Sequence, residues 1–214
     1  MIWLRRIAIA LAALAAAALL LSGPGMRLGL WPYQVGLLLL LAAGVAGLAA
    51  AVLAIVGLCI PGIRKASFPW LLAALLLGAG SASAPFEFLR QARSVPPIND
   101  ISTDPANPAL AEQQRKAYPD IQPLELAEPP AAAYARALAV AEAMRWEIVA
   151  KDPAAGRIEA VATTAWFGFK DDVLVRITPA ARGSRVDVRS RSRVGRGDAG
   201  ANAKRIRDYF ERLK

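Results

Sequence analysis

The stretch that decides the fold of the C-terminal half runs from Gly183 to Gly200 and reads Gly-Ser-Arg-Val-Asp-Val-Arg-Ser-Arg-Ser-Arg-Val-Gly-Arg-Gly-Asp-Ala-Gly. Neighbouring side chains of a strand point to opposite faces of a sheet, so a pattern with a period of two predicts a strand. One face of this strand carries valine and serine. The other face carries a row of charged side chains: Arg185, Asp187, Arg189, Arg191 and Arg193.

A helix is predicted directly after this strand, from about Asp198 to Leu213. Aspartate is a good N-cap residue, and apolar residues recur at helical spacing along one face: Ala203, Ile206, Phe210 and Leu213. The unpaired N–H groups of the first turn of this helix and the preceding segment Gly195-Arg196-Gly197 could together bind an anion. The alternative is that the Asp198 carboxylate itself occupies the capping site and repels a second negative charge.

The residues before this strand predict the rest of a small domain. A helix is expected from Pro130 to Arg145. Short turns separate four strands, which makes an antiparallel meander the natural topology: 146–151, 157–165, 171–178 and 184–194. Two amphipathic helices on one face of a four-stranded sheet give a two-layer α+β domain over residues 130–214.

Residues 86–129 are rich in proline, and we call them the strap. Proline removes a backbone donor and fixes φ, so long helices and central strands are not expected here. The sequence predicts an extended segment that wraps the domain.

Residues 1–85 hold three apolar runs, and an α-helical membrane anchor is predicted with spans at about 3–21, 35–60 and 68–84. The first run could instead be a cleaved signal peptide, although no Ala-x-Ala site follows it at the right place. The third run is short for a span, which leaves a re-entrant or surface-lying segment as an alternative.

Basic residues predict the orientation of the anchor. Arg5, Arg6, Arg64 and Lys65 fall in segments assigned to the cytoplasmic side, whereas the loop between the first two spans has only Arg27. The lipid bilayer is therefore the first expected partner. The protein is predicted to be a multi-pass protein of a bacterial inner membrane, with its C-terminal domain in the periplasm.

The amino-acid composition limits the kinds of catalytic and metal site that the chain can form. The chain of 214 residues has no histidine and one cysteine, Cys59, which lies in an apolar run. An intramolecular disulfide and a cysteine-ligated metal site are excluded, and the commonest general base and zinc ligand are missing. We therefore expect no metal, no cofactor and no assigned catalytic residue.

Several motifs, in order, resemble the bacterial domain-of-unknown-function family 1499 (DUF1499) over residues 95–214. The resemblance rests on Asn-Asp-Ile-Ser-Thr-Asp (99–104), Trp-Glu-Ile-Val (146–149), Gly-Arg-Ile-Glu-Ala (156–160), Phe-Gly-Phe-Lys-Asp-Asp (167–172), Val-Arg-Ile (175–177) and the stretch 183–195 through Asp198, Gly200 and Asn202. The family has no established activity, so the resemblance implies a domain boundary and a location but no reaction.

The candidate site is built around the arginine row. The expected ligand-binding residues are Arg189, Arg191, Arg193, Arg196, Lys170 and Asn202, and the polar residues that could join them are Asn99, Asp100, Asp104, Asp171, Asp172 and Asp198. Paired guanidinium donors suit phosphate or carboxylate. The alternative is a solvated face whose arginines meet cross-strand acids such as Glu147 and Glu159, with the fewest acids near Arg191, Arg193 and Arg196.

Of two carboxylate arrangements, one is excluded and one remains open. Asp171 and Asp172 are neighbours in a strand and point to opposite faces, so they cannot share a proton as a catalytic pair. Asp100, Asp104 and one of that pair could still meet as an oxygen-ligand calcium site.

The leading functional prediction is a non-enzymatic envelope protein that binds an anionic lipid, a polysaccharide or an acidic protein. A carboxylate-dependent hydrolase of envelope material is the first alternative. A structural module of a membrane complex is the second, with Gly36, Gly44 and Gly47 of the second span as the helix contact. Nucleic acid is not expected, because the predicted side of the membrane excludes it and residues 95–214 carry nineteen bases against sixteen acids.

Overall fold

The computed structural model describes residues 2–105 and 108–214, with side chains described for all of these except residues 108–110. The chain divides into two compact units. The helical unit comprises the residues up to Arg90 together with residues 165–168. The α+β unit comprises residues 91–164 and 169–214.

Three long helices form the N-terminal part of the chain: α1 (Ile2–Arg27), α2 (Tyr33–Cys59) and α3 (Pro61–Ser94). Each is long and apolar enough to cross a membrane, which confirms three apolar helices. The helices exceed the predicted spans. In particular, α3 begins before Pro69 and continues ten residues beyond position 84, into the predicted strap.

The glycines of α2 are used for packing within the chain. A Cβ atom added at Gly47 would lie 2.6 Å from the carbonyl oxygen of Gly78 in α3, and one added at Gly44 would lie 3.0 Å from Pro85 Cβ. At Gly36 an added Cβ would lie 2.7 Å from the Ser22 carbonyl oxygen of α1. Contacts this close need glycine, so these three positions serve contacts between α2 and its neighbours in the same chain.

The α+β unit contains an antiparallel sheet of six strands, where the sequence predicts four. The strands are β1 (Asp100–Ser102), β2 (Leu124–Leu126), β3 (Glu147–Asp152), β4 (Arg157–Thr163), β5 (Lys170–Ala180) and β6 (Gly183–Ser192). Strands β3 to β6 form the predicted meander. The order across the sheet is β1-β6-β5-β4-β3, and β2 also pairs with β6.

The two additional strands come from the strap. Asp100 of β1 lies opposite Arg191, and Leu124 of β2 lies opposite Val186, so both short strands extend along the same edge of β6. Between them the strap forms helix α4 (Pro108–Ala117). The strap therefore adds to the sheet and does not simply wrap it, although its regular elements are as short as its prolines require.

The core lies between the sheet and two helices, α5 (Pro130–Ala143) and α6 (Ala201–Leu213). Valine, isoleucine and alanine side chains on the inner face of β4, β5 and β6 pack against the apolar faces of both helices, as predicted. Tyr209 of α6 is fully buried, stacks on Trp146 at 4.9 Å between ring centroids, and donates a hydrogen bond to the Ala137 carbonyl oxygen. The outer face of the sheet is left for charged side chains.

Candidate functional site

The outer face of the sheet carries the arginine row, and we call it the arginine face. The strand register places Arg191 of β6 between Asp100 of β1 and Asp172 of β5, as its partner on either side. Side chains directly opposite each other in an antiparallel pair share a face. The three therefore form one cross-strand row in which a guanidinium lies between two carboxylates.

Both carboxylates of that row are bound diagonally by other arginines. Arg189 donates two hydrogen bonds to Asp100, at 2.8 and 2.6 Å. Arg193 donates two to one oxygen of Asp172, at 2.9 and 2.6 Å. These hydrogen bonds to the carboxylates raise the pKa of both guanidinium groups above its ordinary value. Arg189 and Arg193 are therefore already neutralised by neighbours.

The pairing of Arg193 corrects one expectation. The sequence analysis places few acids near Arg193, but Asp172 lies within hydrogen-bonding distance of it. Asp172 stands opposite Arg191 in the register, so pairing by position alone misses this diagonal contact.

Elsewhere on the arginine face, bases and acids alternate in the same way. The other ion pairs on this face are Arg157 with Glu159 at 2.7 Å, Arg176 with Asp104 at 2.7 Å and with Asp187 at 3.8 Å, Arg185 with Asp187 at 2.9 Å and Lys170 with Glu147 at 3.7 Å. Glu147 thus supplies a partner from another strand, as the salt-bridged alternative predicts, whereas Glu159 pairs with Arg157 on its own strand, β4. Most of this face is a near-neutral lattice of charges.

Arg191 differs from its neighbours. Its nearest carboxylate within the described chain is that of Asp100, at 4.0 Å, and that carboxylate is held by Arg189. The Arg191 side chain is 64% exposed, compared with 49% for Arg189 and 47% for Arg193. Its guanidinium donors therefore face solvent, and they are supported on both sides by an ordered ion pair.

Arg196 and Lys170 flank the same end of the sheet. Arg196 is exposed in the loop after β6, and no ion pair involves it within the residues that the structure describes. The Arg193 backbone N–H donates to the Lys170 carbonyl oxygen, so β5 and β6 are still paired where this loop begins.

Two of the predicted site residues lie on the opposite, helix-covered face of the sheet. Asp171 is 2% exposed and forms an ion pair with Arg205 of α6 at 2.5 Å. Asn202 is fully buried; it accepts a hydrogen bond from the Ser190 hydroxyl at 2.6 Å, and its amide donates to Ser192 at 2.9 Å. These side chains, which we call the buried polar network, cannot contact a ligand on the arginine face.

Arg205 is the member of the buried polar network that the sequence analysis omits. Its guanidinium donates to Ser190, Asn202 and Asp171. The available signal was its spacing of three residues from Asn202, which places both side chains on one side of a helix. The apolar residues of α6 predict which side of the helix is buried, and a charged residue at position 205 is not expected to be buried with them.

The start of α6 is closed by Asp198. Its carboxylate accepts hydrogen bonds from the backbone N–H groups of Gly200 and Asn202, both at 2.8 Å. The helix itself begins at Ala201, three residues after the predicted start. The capping alternative is therefore the arrangement that forms, and the N–H groups that could cradle an anion are occupied by a side chain.

Asn99, Asp100 and Asp104 of the strap do not assemble into a cluster with Asp171 or Asp172. Asn99 donates to the Gly195 carbonyl oxygen at 2.6 Å, whereas the three acids on the arginine face each pair with a different arginine. Across residues 2–105 and 108–214, no group of three or more histidine, cysteine or acidic side chains could hold a metal ion.

A family model described as "Protein of unknown function (DUF1499)" matches residues 100–213, which is more than half of the chain. The matched region contains the sheet, the arginine face and the buried polar network. No curated protein matches the chain.

Proposed function

Since this chain belongs to the DUF1499 family, whose description assigns no activity, we propose its function from the geometry. The protein is a non-enzymatic, membrane-anchored protein of the bacterial envelope. Its α+β unit lies on the periplasmic side and binds an anionic group through the end of the arginine face at Arg191. Arg196, Lys170 and Arg193 contribute positive potential around that point.

The observation that carries this proposal is that Arg189 and Arg193 form close ion pairs, whereas Arg191 does not. Arg189 and Arg193 hold the two carboxylates that flank Arg191, which leaves Arg191 as an exposed guanidinium in an ordered setting. An arginine fork binds carboxylate or phosphate through two parallel N–H donors. Because Asp100 and Asp172 are held by Arg189 and Arg193, Arg191 does not have to break a close ion pair of its own when a ligand binds.

The proposed location rests on the distribution of basic residues. The three apolar helices, taken as three crossings, support a location of the α+β unit across the membrane from Arg5, Arg6, Arg64 and Lys65, which favour the cytoplasm. On the periplasmic side the available anionic groups are phosphates of lipid headgroups and carboxylates of polysaccharides or acidic proteins. All three offer the chemistry that Arg191 recognises.

We expect Arg191→Ala to weaken binding of the anionic ligand about tenfold or more, since a hydrogen bond to a charged group contributes ~1.5–3 kcal/mol. The measurement uses full-length protein in phosphatidylcholine nanodiscs. Three probes are titrated separately: short-chain phosphatidylglycerol, an anionic polysaccharide and poly-glutamate. The probe whose binding depends on Arg191 identifies the source of the anion.

The matched control is Arg157→Ala. Arg157 lies on the same face with a similarly exposed side chain, at 54%, but it is paired with Glu159. Its removal changes net charge by the same amount and is expected to leave affinity nearly unchanged. Equal affinities for wild type and Arg191→Ala with every probe would refute the proposal.

The hydrolase has no comparable support. Asp171 and Asp172 lie on opposite faces, and each of the carboxylates considered for catalysis is bound to its own arginine: Asp100, Asp104, Asp171 and Asp172. These four carboxylates are therefore engaged in separate ion pairs and do not form a shared catalytic pair.

A further inference from the structure

A second positively charged region lies at one end of the helical unit, far along the chain from the arginine face. Leu4 of α1, Gly57 of α2 and Leu71 of α3 meet there: a Cβ atom added at Gly57 would lie 3.0 Å from Leu4 and 2.9 Å from Leu71. The start of α1, the end of α2 and the start of α3 are therefore neighbours. Arg5 and Arg6 follow Leu4 directly.

Arg64 and Lys65 belong to the same end of the unit. They precede Leu71 by six or seven residues, which is ~10 Å along a helix at ~1.5 Å per residue. Both are exposed, as is Arg6. We call Arg5, Arg6, Arg64 and Lys65 the basic end of the helical unit.

Nothing in the helical unit neutralises the basic end. Its one acidic residue is Glu87, which pairs with Arg90 three positions later in α3, at 2.6 Å. Glu87 lies more than twenty residues beyond Lys65, near the other end of α3. Four cations are therefore gathered without a protein counter-charge among the described residues of this unit.

An open depression on one face of α1, which we call the groove, begins at the same place. It has a volume of about 590 Å³ and is lined by Ile2, Trp3, Arg6, Ile7 and Ala10. Ile2 and Trp3 are 60% and 65% exposed. The groove thus joins a guanidinium to an apolar surface on a helix that is apolar enough to lie in a bilayer, where hydrocarbon chains cover such surfaces.

We infer that the basic end of the helical unit binds one anionic phospholipid. Arg6 takes the phosphate, Arg5, Arg64 and Lys65 add positive charge around it, and an acyl chain lies along the groove of Ile2, Trp3, Ile7 and Ala10. Basic pockets between membrane-spanning helices bind anionic headgroups in other proteins. Tryptophan is enriched at the membrane–water interface, where such headgroups lie. A free phosphate ion would satisfy only the charged half of this arrangement.

This inference goes beyond the proposed function, because it uses no residue of the α+β unit. The test is lipid competition. Full-length protein is purified in detergent with equal amounts of phosphatidylglycerol and phosphatidylcholine, and bound lipid is counted by native mass spectrometry. Wild type is expected to retain one phosphatidylglycerol per chain, at least about tenfold in preference to phosphatidylcholine, for a charge-assisted contact of ~1.5 kcal/mol or more.

Two variants locate the site. Arg6→Gln combined with Arg64→Gln and Lys65→Gln is expected to abolish the preference, whereas Arg157→Ala, which removes a paired arginine outside both proposed binding points, is expected to keep it. Helix content by circular dichroism shows whether the triple variant is folded. If it is not folded, the competition is measured on wild type and on Arg6→Lys. Arg6→Lys keeps the charge and is therefore expected to keep the preference for phosphatidylglycerol.

Three results would overturn the inference. They are equal retention of both lipids by wild type, an unchanged preference in a folded triple variant, and an acidic protein bound at this end in place of lipid. Loss of the preference in Arg191→Ala would instead assign the lipid to the arginine face.

Discussion

Asn202 shows at the scale of one residue why a polar motif can be structural. Its amide is fully buried and has partners on both the carbonyl and the nitrogen side: it accepts from Ser190 and Arg205 and donates to Ser192 and the Asn99 carbonyl oxygen. Buried polar groups are tolerated when they are hydrogen-bonded and are costly when a partner is lost. Asn202 therefore ties α6 to β6 and to the strap.

We predict that Asn202→Ala lowers the free energy of unfolding by about 2–4 kcal/mol, because several buried groups lose a partner at once. Thermal unfolding of the full-length protein in nanodiscs, followed by tryptophan fluorescence, measures the effect.

The control for this substitution is Asn99→Ala. Among the described residues, the Asn99 side chain donates one hydrogen bond, of 2.6 Å, to the exposed Gly195 carbonyl oxygen. Its loss is expected to cost ~1 kcal/mol or less. Equal losses for the two variants would contradict the role assigned to the buried polar network.

Single residues also mark the limit of prediction from the sequence. Strand periodicity places the arginines on one face correctly, and it separates Asp171 from Asp172. It does not identify Arg191 as the least paired arginine of the row 185–193, because that depends on the position of Asp100 in β1 and on diagonal contacts. The role of Arg205 is not predicted for a related reason, since Asp171 lies on β5 and Ser190 on β6, and only Asn202 lies on its own helix.

At the scale of elements, the meander and its two covering helices follow from periodicity and short turns. β1 and β2 do not, because strands of three residues are too short to show a period and lie among prolines. Their pairing is settled by the unfilled edge of β6, which a local pattern does not reveal. The continuation of α3 to Ser94 is not predicted either, because proline at position 85 favours a helix boundary, whereas α3 continues through it.

One ion pair between elements gives a pH-dependent prediction. Arg207 of α6 donates to both oxygens of Asp120, in the segment between α4 and β2, at 2.5 and 2.7 Å. These hydrogen bonds lower the pKa of Asp120 below its ordinary value. A carboxyl whose pKa is lowered by folding stabilises the protein above its unfolded pKa of ~3.9, and this contribution is lost as the pH falls through the folded pKa.

Asp120→Asn is therefore expected to reduce stability at pH 7 by no more than ~1 kcal/mol, since the Asp120 side chain is 53% exposed and solvent screens the pair. The difference from wild type should shrink as the pH is lowered through the folded pKa, where Asp120 is also neutral. Thermal unfolding midpoints measured from pH 7 downward check this.

Glu211→Gln is the control for that pH series. Glu211 is on the same helix and has no ion pair in the described part of the chain. It should show little difference at either end of the series. A constant deficit for Asp120→Asn at every pH would rule out the assigned ion pair as its cause.

For the molecule as a whole, the chain combines three helices that are long and apolar enough to cross a membrane with a folded α+β unit, on which we propose an anion-binding point at Arg191. The anchor was the most predictable part, because apolar length is read directly from the sequence. Its orientation is a proposal from basic residues. Both the proposed location and the proposed ligands depend on that orientation.

A C-terminal reporter fusion tests this central claim most directly. Alkaline phosphatase, active in the periplasm, and green fluorescent protein, which fluoresces in the cytoplasm, are each fused after Lys214. We predict an active phosphatase fusion and a dark fluorescent fusion, because an odd number of crossings carries the C-terminus away from the basic end. A fluorescent fusion with an inactive phosphatase would contradict the account.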